Sequence, residues 1–171
     1  MGTRFEMQDL APHVRRASPE DWEACVRIVR ELPEFFEEDV PERVRSDLRL
    51  HDAWILVDGN GAVAGFLVST RRFPHAAEIL WIAIDRTRRR LGLGTQLLEA
   101  ALHDLRLEGV AVVEVKTLDS SADYPPYDET RQFYEHRGFV HIDTIEALPG
   151  WGADNPAAFY VAALVTTTRE E

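Results

Sequence analysis

Arg89, Gly92 and Gly94 are spaced as Arg-x-x-Gly-x-Gly inside Ile84-Asp85-Arg86-Thr87-Arg88-Arg89-Arg90-Leu91-Gly92-Leu93-Gly94-Thr95, where a strongly apolar run gives way to an amphipathic one. A turn of this kind suits a phosphate. Glycines let the backbone turn tightly and approach a ligand, and the first N–H groups of a following helix point outward with the positive end of its dipole. An anion would be held there largely by the main chain of Arg89, Arg90, Leu91, Gly92, Leu93, Gly94 and Thr95. Arg86, Arg88, Arg89 and Arg90 are sources of added charge, although not all four can face one ligand. The turn is not a P-loop, because Gly-Lys-Ser/Thr is missing. Nor is it a dinucleotide fingerprint, because Leu97 stands where a third small residue is needed.

Other residues carry chemistry of a different kind. Glu34-Phe35-Phe36-Glu37-Glu38-Asp39 combines two aromatics with four carboxylates, which suits an amine with an apolar body; a solvated acidic loop is the alternative. Tyr134 sits in Phe133-Tyr134-Glu135-His136-Arg137-Gly138-Phe139, where a tyrosine and a glycine at a helix end, taken alone, read equally as packing and capping. Cys25 is the single cysteine, which excludes an intramolecular disulfide and a cysteine-based zinc site. It shares the apolar stripe of one helix with Trp22, Ile28, Val29 and Leu32, so core packing is expected. His51, His103 and His141 have no companion at metal-ligand spacing, and no metal is expected.

The elements that position these residues follow from periodicity and punctuation. Ile79 to Ile84 is apolar on both alternating faces, as a buried central strand is, while Leu97, Leu98, Ala101, Leu102 and Leu105 recur at helical spacing. The glycine turn therefore lies between a central strand and a helix over about 94–108. Residues 1–11 form a loose lead-in to a strand around 14–17. Ser18 as N-cap and Pro19 at the first position start a helix over about 19–32, and Pro33 ends it. A second helix spans about 41–50. Residues 53–57 and 62–69 are strands joined by Asp58-Gly59-Asn60-Gly61, a hairpin signal. A connection from Arg71 to Ala76 leads into the central strand. Beyond Gly109 come a strand over 111–117, a long polar loop over 118–126, a helix over 127–137 ended by Gly138, and strands over 139–143 and 157–165. The expected fold class is α/β: a single domain with a mixed sheet flanked by helices.

The 171 residues are 45% hydrophobic and 29% charged, the balance of a globular domain long enough to bury a core, and no apolar run reaches membrane-span length. No secretory leader or myristoylation motif is read at the N-terminus, so no membrane association and a cytoplasmic location are expected. A formal charge of −11 argues against nucleic acid and favours a cationic or amine-bearing partner.

The glycine turn between a buried strand and a helix resembles the phosphate motif of the GNAT superfamily of acyl-CoA-dependent N-acetyltransferases, Arg/Gln-x-x-Gly-x-Gly/Ala. Phe133-Tyr134-Glu135-His136-Arg137-Gly138-Phe139 is similar to that family's Phe-Tyr-Glu-x-x-Gly-Phe segment, and the resemblance spans about residues 14–165. Lys116-Thr117-Leu118, Thr130-Arg131, Trp151 and Asn155-Pro156 further resemble a bacterial subgroup.

The resemblance implies a GNAT-like, mostly antiparallel sheet and acetyl-CoA as acyl donor. It places the CoA pyrophosphate on the glycine turn and the pantetheine arm along the main chain of Ile82, Ala83 and Ile84. Tyr127, where many family members have Asn, and Arg131 are further expected donor contacts. Tyr134 is the implied acid for the departing thiolate, with Tyr124 and Tyr127 as rivals. A phenol with a pKa near 10 is protonated at neutral pH and suits that role. The general base is left among Glu78, His75 and Asp123, with Glu78 foremost. The segment holding Glu34, Phe35, Phe36 and Glu37 falls where the family walls its acceptor site. The expected reaction is direct acetyl transfer to an amine, on a small molecule or a peptide, in a ternary complex. A non-catalytic acyl-CoA-binding module is the alternative. A homodimer is common in the family.

Overall fold

The computed structural model describes residues 11–164. Seven strands, β1 (His13–Arg16), β2 (Asp52–Val57), β3 (Val63–Phe73), β4 (Ala76–Ile84), β5 (Val112–Leu118), β6 (Val140–Ile145) and β7 (Ala157–Ala163), form one sheet in the order β1-β2-β3-β4-β5-β7-β6. Among the described residues only β4 and β5 run parallel. Four α-helices accompany them among the described residues: α1 (Trp22–Arg30), α2 (Val40–Leu50), α3 (Leu93–Leu107) and α4 (Asp128–Glu135). The architecture is the expected α/β one.

Local chemistry accounts for several of these boundaries. A 3₁₀ turn over Pro19–Asp21 precedes α1, and Asp21 closes a capping box by accepting the Ser18 N–H at 2.8 Å. Arg15 of β1 grips the same carboxylate through both terminal nitrogens, which is why a nearly buried Asp21 is tolerated. The helix expected to reach residue 32 stops at Arg30. At the β2–β3 hairpin, Asp58 Oδ1 accepts the N–H groups of Asn60 and Ala62 at 2.9 Å each. The expected connection from Arg71 to Ala76 is mostly strand instead, because Arg71 pairs with Ala77 and Phe73 with Ala76, leaving only a tight turn at Pro74 and His75.

The sheet separates two apolar layers. Trp54, Leu67, Ile79, Leu97, Leu98, Val113, Val115, Tyr134 and Tyr160 pack together on the α3 side. Cys25, Ile28, Val44, Ile55, Phe66 and Val68 pack on the α1–α2 side. Burial pushes the Cys25 thiol up to about 12, in keeping with an inert core residue.

β4 carries one irregularity opposite Val68 and Ser69. Val68 pairs with Trp81 but Ser69 pairs with Ile79, so Leu80 is an extra residue that bulges the strand. Ile79 belongs to the α3-side core, Leu80 and Trp81 both pack on the α1–α2 side, and Ile82 returns to the α3 side. Pairing between β4 and β5 ends at the same place, at Ile79 and Val115. Beyond it β5 keeps β7 as partner and β4 keeps β3, so the two parallel strands part and leave an open edge on each.

Candidate functional site

The parted strands form the floor of a groove of about 1150 Å³. Leu80 to Ile84 line one side and Lys116 to Leu118 the other, so main-chain N–H and C=O groups along β4 are available to an extended ligand. Residues from the α1–α2 loop, the glycine turn, α4 and the β6–β7 loop complete the walls.

At the C-terminal end of β4 the chain enters the glycine turn. Arg90 has φ +64 and Gly92 φ +73, and Gly92 is the N-cap of α3. None of the N–H groups from Arg89 to Thr95 donates to a turn carbonyl or a side chain among the described residues, and the first turn of a helix leaves such groups free by construction. Gly94 serves a different need. A Cβ there would stand 3.3 Å from Cε2 of Phe133, so the small residue lets α4 close against α3. Together these features leave a run of unengaged main-chain N–H groups at the groove.

The four arginines of the turn divide their duties. Arg86 donates to the Glu31 carbonyl and pairs with Glu34 Oε2 at 2.6 Å. Arg88 is committed to Asp58 at 2.6 Å and Asp85 at 3.0 Å, which fastens the turn to the β2–β3 hairpin. Arg90 meets Glu129 at 2.9 Å on an exposed surface. Arg89 instead lies over the Phe35 ring, 4.5 Å from its centre. Leu91 is 70% exposed and outside the groove lining.

Tyr134 is 2% exposed and lines the groove between Phe133 and Phe139, each with its ring centre 5.3 Å away. Its hydroxyl makes no hydrogen bond among the described residues, whereas its two rivals are engaged. Tyr127 donates to the Phe35 carbonyl at 2.5 Å and Tyr124 to the Glu34 carbonyl at 2.9 Å. Burial, with a smaller contribution from Tyr127, pushes the Tyr134 phenol well above its ordinary value, so it holds its proton across the neutral range.

Glu78 also lines the groove, at the β5-paired end of β4, where Lys116 Nζ lies 2.5 Å and Arg72 3.0 Å from its carboxylate oxygens. The other two base candidates are elsewhere. His75 occupies the β3–β4 turn against the Gly109 carbonyl, and exposed Asp123 ends a 3₁₀ turn outside the lining. Among the described residues no group of three or more His, Cys, Asp or Glu could hold a metal ion.

The segment from Glu34 to Glu37 crosses toward the β5–α4 connection. Tyr124 and Tyr127 hold its carbonyls, Phe35 packs edge-on against Tyr127 at 5.4 Å, and Glu37 accepts from Asn155 of the β6–β7 loop at 3.1 Å. Desolvation opposes the Glu34 charge, but its own backbone N–H and Arg86 outweigh that and hold the carboxyl below its usual range. Phe36 faces Trp81, whose indole N–H donates to Asp47 at 2.6 Å while Arg43 stacks over its ring at 5.3 Å.

A family model for the acetyltransferase (GNAT) family matches residues 20–139, which span β4, the glycine turn, α3, β5 and α4. The chain belongs to the GNAT family. Solved structures share its fold. A Desulfovibrio desulfuricans protein described as of the GNAT family superposes with a TM-score of 0.78 at 23% identity, over 91% of this chain and 100% of its own. The ribosomal-protein-S18-alanine N-acetyltransferase of Escherichia coli gives 0.74 at 20% identity, over 94% and 98%. An aminoglycoside 6′-N-acetyltransferase complexed with coenzyme A gives 0.70 at 16% identity, over 90% and 97%. No curated protein sequence matches.

Within this GNAT fold, one groove collects Ile82, Ala83, Ile84, Arg89, Arg90, Gly92, Leu93, Gly94, Thr95, Tyr127 and Tyr134 with Glu78 and residues 34–37. Arg131 is not brought there. Its guanidinium donates to the Leu118 carbonyl at 2.7 Å and pairs with Asp128, tying α4 to the end of β5. Trp81, Asp47, Arg43 and Arg137 line the GNAT groove without having been singled out as site residues from sequence. Trp81 was hidden inside an apolar run, and only the bulge at Leu80 turns it toward α2.

Proposed function

We propose that the protein transfers an acetyl group from acetyl-CoA to a primary amine by direct attack in a ternary complex. The observation that carries this reading is the parting of β4 and β5 above Ile79 and Val115, which leads from the free N–H groups of the glycine turn past the unengaged hydroxyl of Tyr134. The seat fits the donor: main-chain donors suit a diphosphate, and the open β4 edge over Ile82–Ile84 suits the amides of a pantetheine arm.

In this account an N–H of that edge steadies the charge that develops on the thioester oxygen. The amine nitrogen forms a bond to the acyl carbon as the carbon–sulfur bond breaks. Tyr134 gives its proton to the leaving sulfur, and the amine's surplus proton passes through water to Glu78. Glu78 is preferred as base because it alone of the three candidates lines the groove. The wall of Phe36, Glu37, Trp81 and Trp151 takes the acceptor, with aromatic faces and a carboxylate for a cationic amine. Such chemistry draws on a cytoplasmic acyl-CoA pool.

The test is release of free thiol from acetyl-CoA with a panel of amines, comparing the wild type with Tyr134→Phe. Amine-dependent release by the wild type, lowered in Tyr134→Phe with acetyl-CoA binding retained, is expected. Equal rates in both would remove Tyr134 from the acid role. Tight acetyl-CoA binding with no turnover on any amine class would favour a non-catalytic acyl-CoA module.

A further inference from the structure

Three of the four arginines in the glycine turn face carboxylates, but one more arginine lines the same groove without any. Arg137 follows α4 and immediately precedes Gly138, whose φ of +81 turns the chain toward β6. Its Nη1 donates to the Phe133 carbonyl at 2.8 Å, its Nη2 donates to the Thr95 hydroxyl, and its guanidinium lies 4.0 Å from the centre of the Phe133 ring. Its Nε is buried without a partner, and no carboxylate pairs with it among the described residues.

The location makes that lack of a counter-charge informative. Thr95 is the third residue of α3, so the guanidinium stands beside the first turn of a fifteen-residue helix, where the backbone already presents partial positive charge. A cation placed there is repelled by the helix end unless an anion joins them. Each terminal nitrogen of Arg137 has spent one N–H on the protein and has a second to give. Phe133 in turn packs so near Gly94 that a Cβ added there would stand 3.3 Å from its ring, which places the stacked cation beside the turn.

We infer that Arg137 is a donor-binding residue: it gives a charge-assisted hydrogen bond to the diphosphate of acyl-CoA seated on the glycine turn, and through Thr95 it braces the first turn of α3 beneath that diphosphate. The inference rests on the acyl-CoA reading above. It assigns a second cationic contact, from α4, to a seat otherwise built from β4 and α3.

Calorimetric titration with CoA and with dephospho-CoA, at low and moderate salt, tests it on the wild type, Arg137→Gln and Arg137→Lys, with unliganded melting as the check on folding. The wild type is expected to bind both ligands. Arg137→Gln is expected to weaken both by about tenfold or more, as for loss of a hydrogen bond to a charged group, and to show a shallower salt dependence. Arg137→Lys keeps the charge and recovers most of the affinity and the salt response. Unchanged affinity in Arg137→Gln overturns the inference. So does a loss seen with CoA and absent with dephospho-CoA, which would move Arg137 to the 3′-phosphate. Should Arg137→Gln not fold, the Arg137 Nε–H resonance of the wild type is the alternative measurement. It should shift with dephospho-CoA and not with pantetheine, and equal shifts with both, or none, contradict the inference. A folded wild type that binds neither nucleotide would instead sink the acyl-CoA reading itself.

Discussion

Tyr127 reaches across the groove and donates its hydroxyl to the Phe35 carbonyl at 2.5 Å, joining the β5–α4 connection to the α1–α2 loop. With the Tyr124 bond to the neighbouring Glu34 carbonyl, this holds Phe35 and Phe36 in place over the diverging strands. A tyrosine that resemblance alone would assign to the donor is thus spent on the loop proposed to wall the acceptor.

Tyr127→Phe deletes that bond and keeps the ring packing. Stability should fall by about 1 kcal/mol, the usual net value of one such hydrogen bond, as read from denaturant midpoints. The KM for an amine acceptor should rise with little change in kcat. Tyr134→Phe should do the reverse. No hydrogen bond is lost, so stability should stay within about 0.5 kcal/mol, while kcat falls on the order of a hundredfold or more through loss of the acid.

The buried phenol of Tyr134 also sets a pH dependence. Its folded value lies above the unfolded value near 10, so the stabilisation it contributes is complete below about pH 10 and is lost as pH climbs from there through the higher folded value. Denaturation curves from pH 8 upward should show stability declining above about pH 10, and Tyr134→Phe should lessen that decline. The kcat profile should have no descending limb from this acid below about pH 10.

Asp21 gives the opposite sign. Desolvation alone would raise its carboxyl, but Arg15 and both donors of Ser18 outweigh it and lower the value in the folded state. Its contribution is therefore present above the unfolded value near 3.9 and is lost as pH falls through the depressed one. Asp21→Asn should cost about 1 kcal/mol at neutral pH, from the weakened capping box and lost ion pair, and should flatten the acid limb of the stability curve.

Gly92 and Gly94 are expected to respond differently to alanine. Gly92 has φ +73 with open space where a Cβ would go, so Gly92→Ala should cost about 1 kcal/mol through backbone strain. Gly94 has ordinary φ but a crowded site 3.3 Å from Phe133, so Gly94→Ala displaces the ring that Arg137 stacks on. Thermal melting should register the first chiefly as lost stability, and titration with CoA the second chiefly as lost affinity.

Glu78→Gln isolates the base assignment. Lys116 keeps Glu114 at 2.7 Å as a partner, so the variant should fold. If Glu78 takes the proton, turnover should drop on the order of a hundredfold with acetyl-CoA affinity unchanged. Turnover at the wild-type rate would place the base elsewhere.

What the sequence made legible was what short-range chemistry decides. Ser18 with Pro19, the Asp58–Gly61 hairpin, and the strand–turn–helix around Gly92 all announce themselves within a few residues, and each lies close to its expected place. The parting of β4 from β5 was not legible, because it follows from a bulge at Leu80 inside a uniformly apolar run and from pairing across thirty-odd intervening residues. The separate duties of Arg86, Arg88, Arg89, Arg90 and Arg137 were equally hidden. Their partners are Glu34, Asp58, Phe35, Glu129 and Thr95, brought close only by the tertiary fold. Arg131 shows the cost of judging from sequence position alone, since its side chain points to the Leu118 carbonyl.

The proposed function requires the groove between β4 and β5 to seat an acyl-CoA through the glycine turn. Calorimetric titration of the folded protein with acetyl-CoA tests it most directly. Saturable binding of one acetyl-CoA per chain is expected, abolished or much weakened in Gly94→Val, whose larger side chain collides with the Phe133 ring. Absence of saturable binding to the wild type, or the same affinity in a folded Gly94→Val, would contradict it.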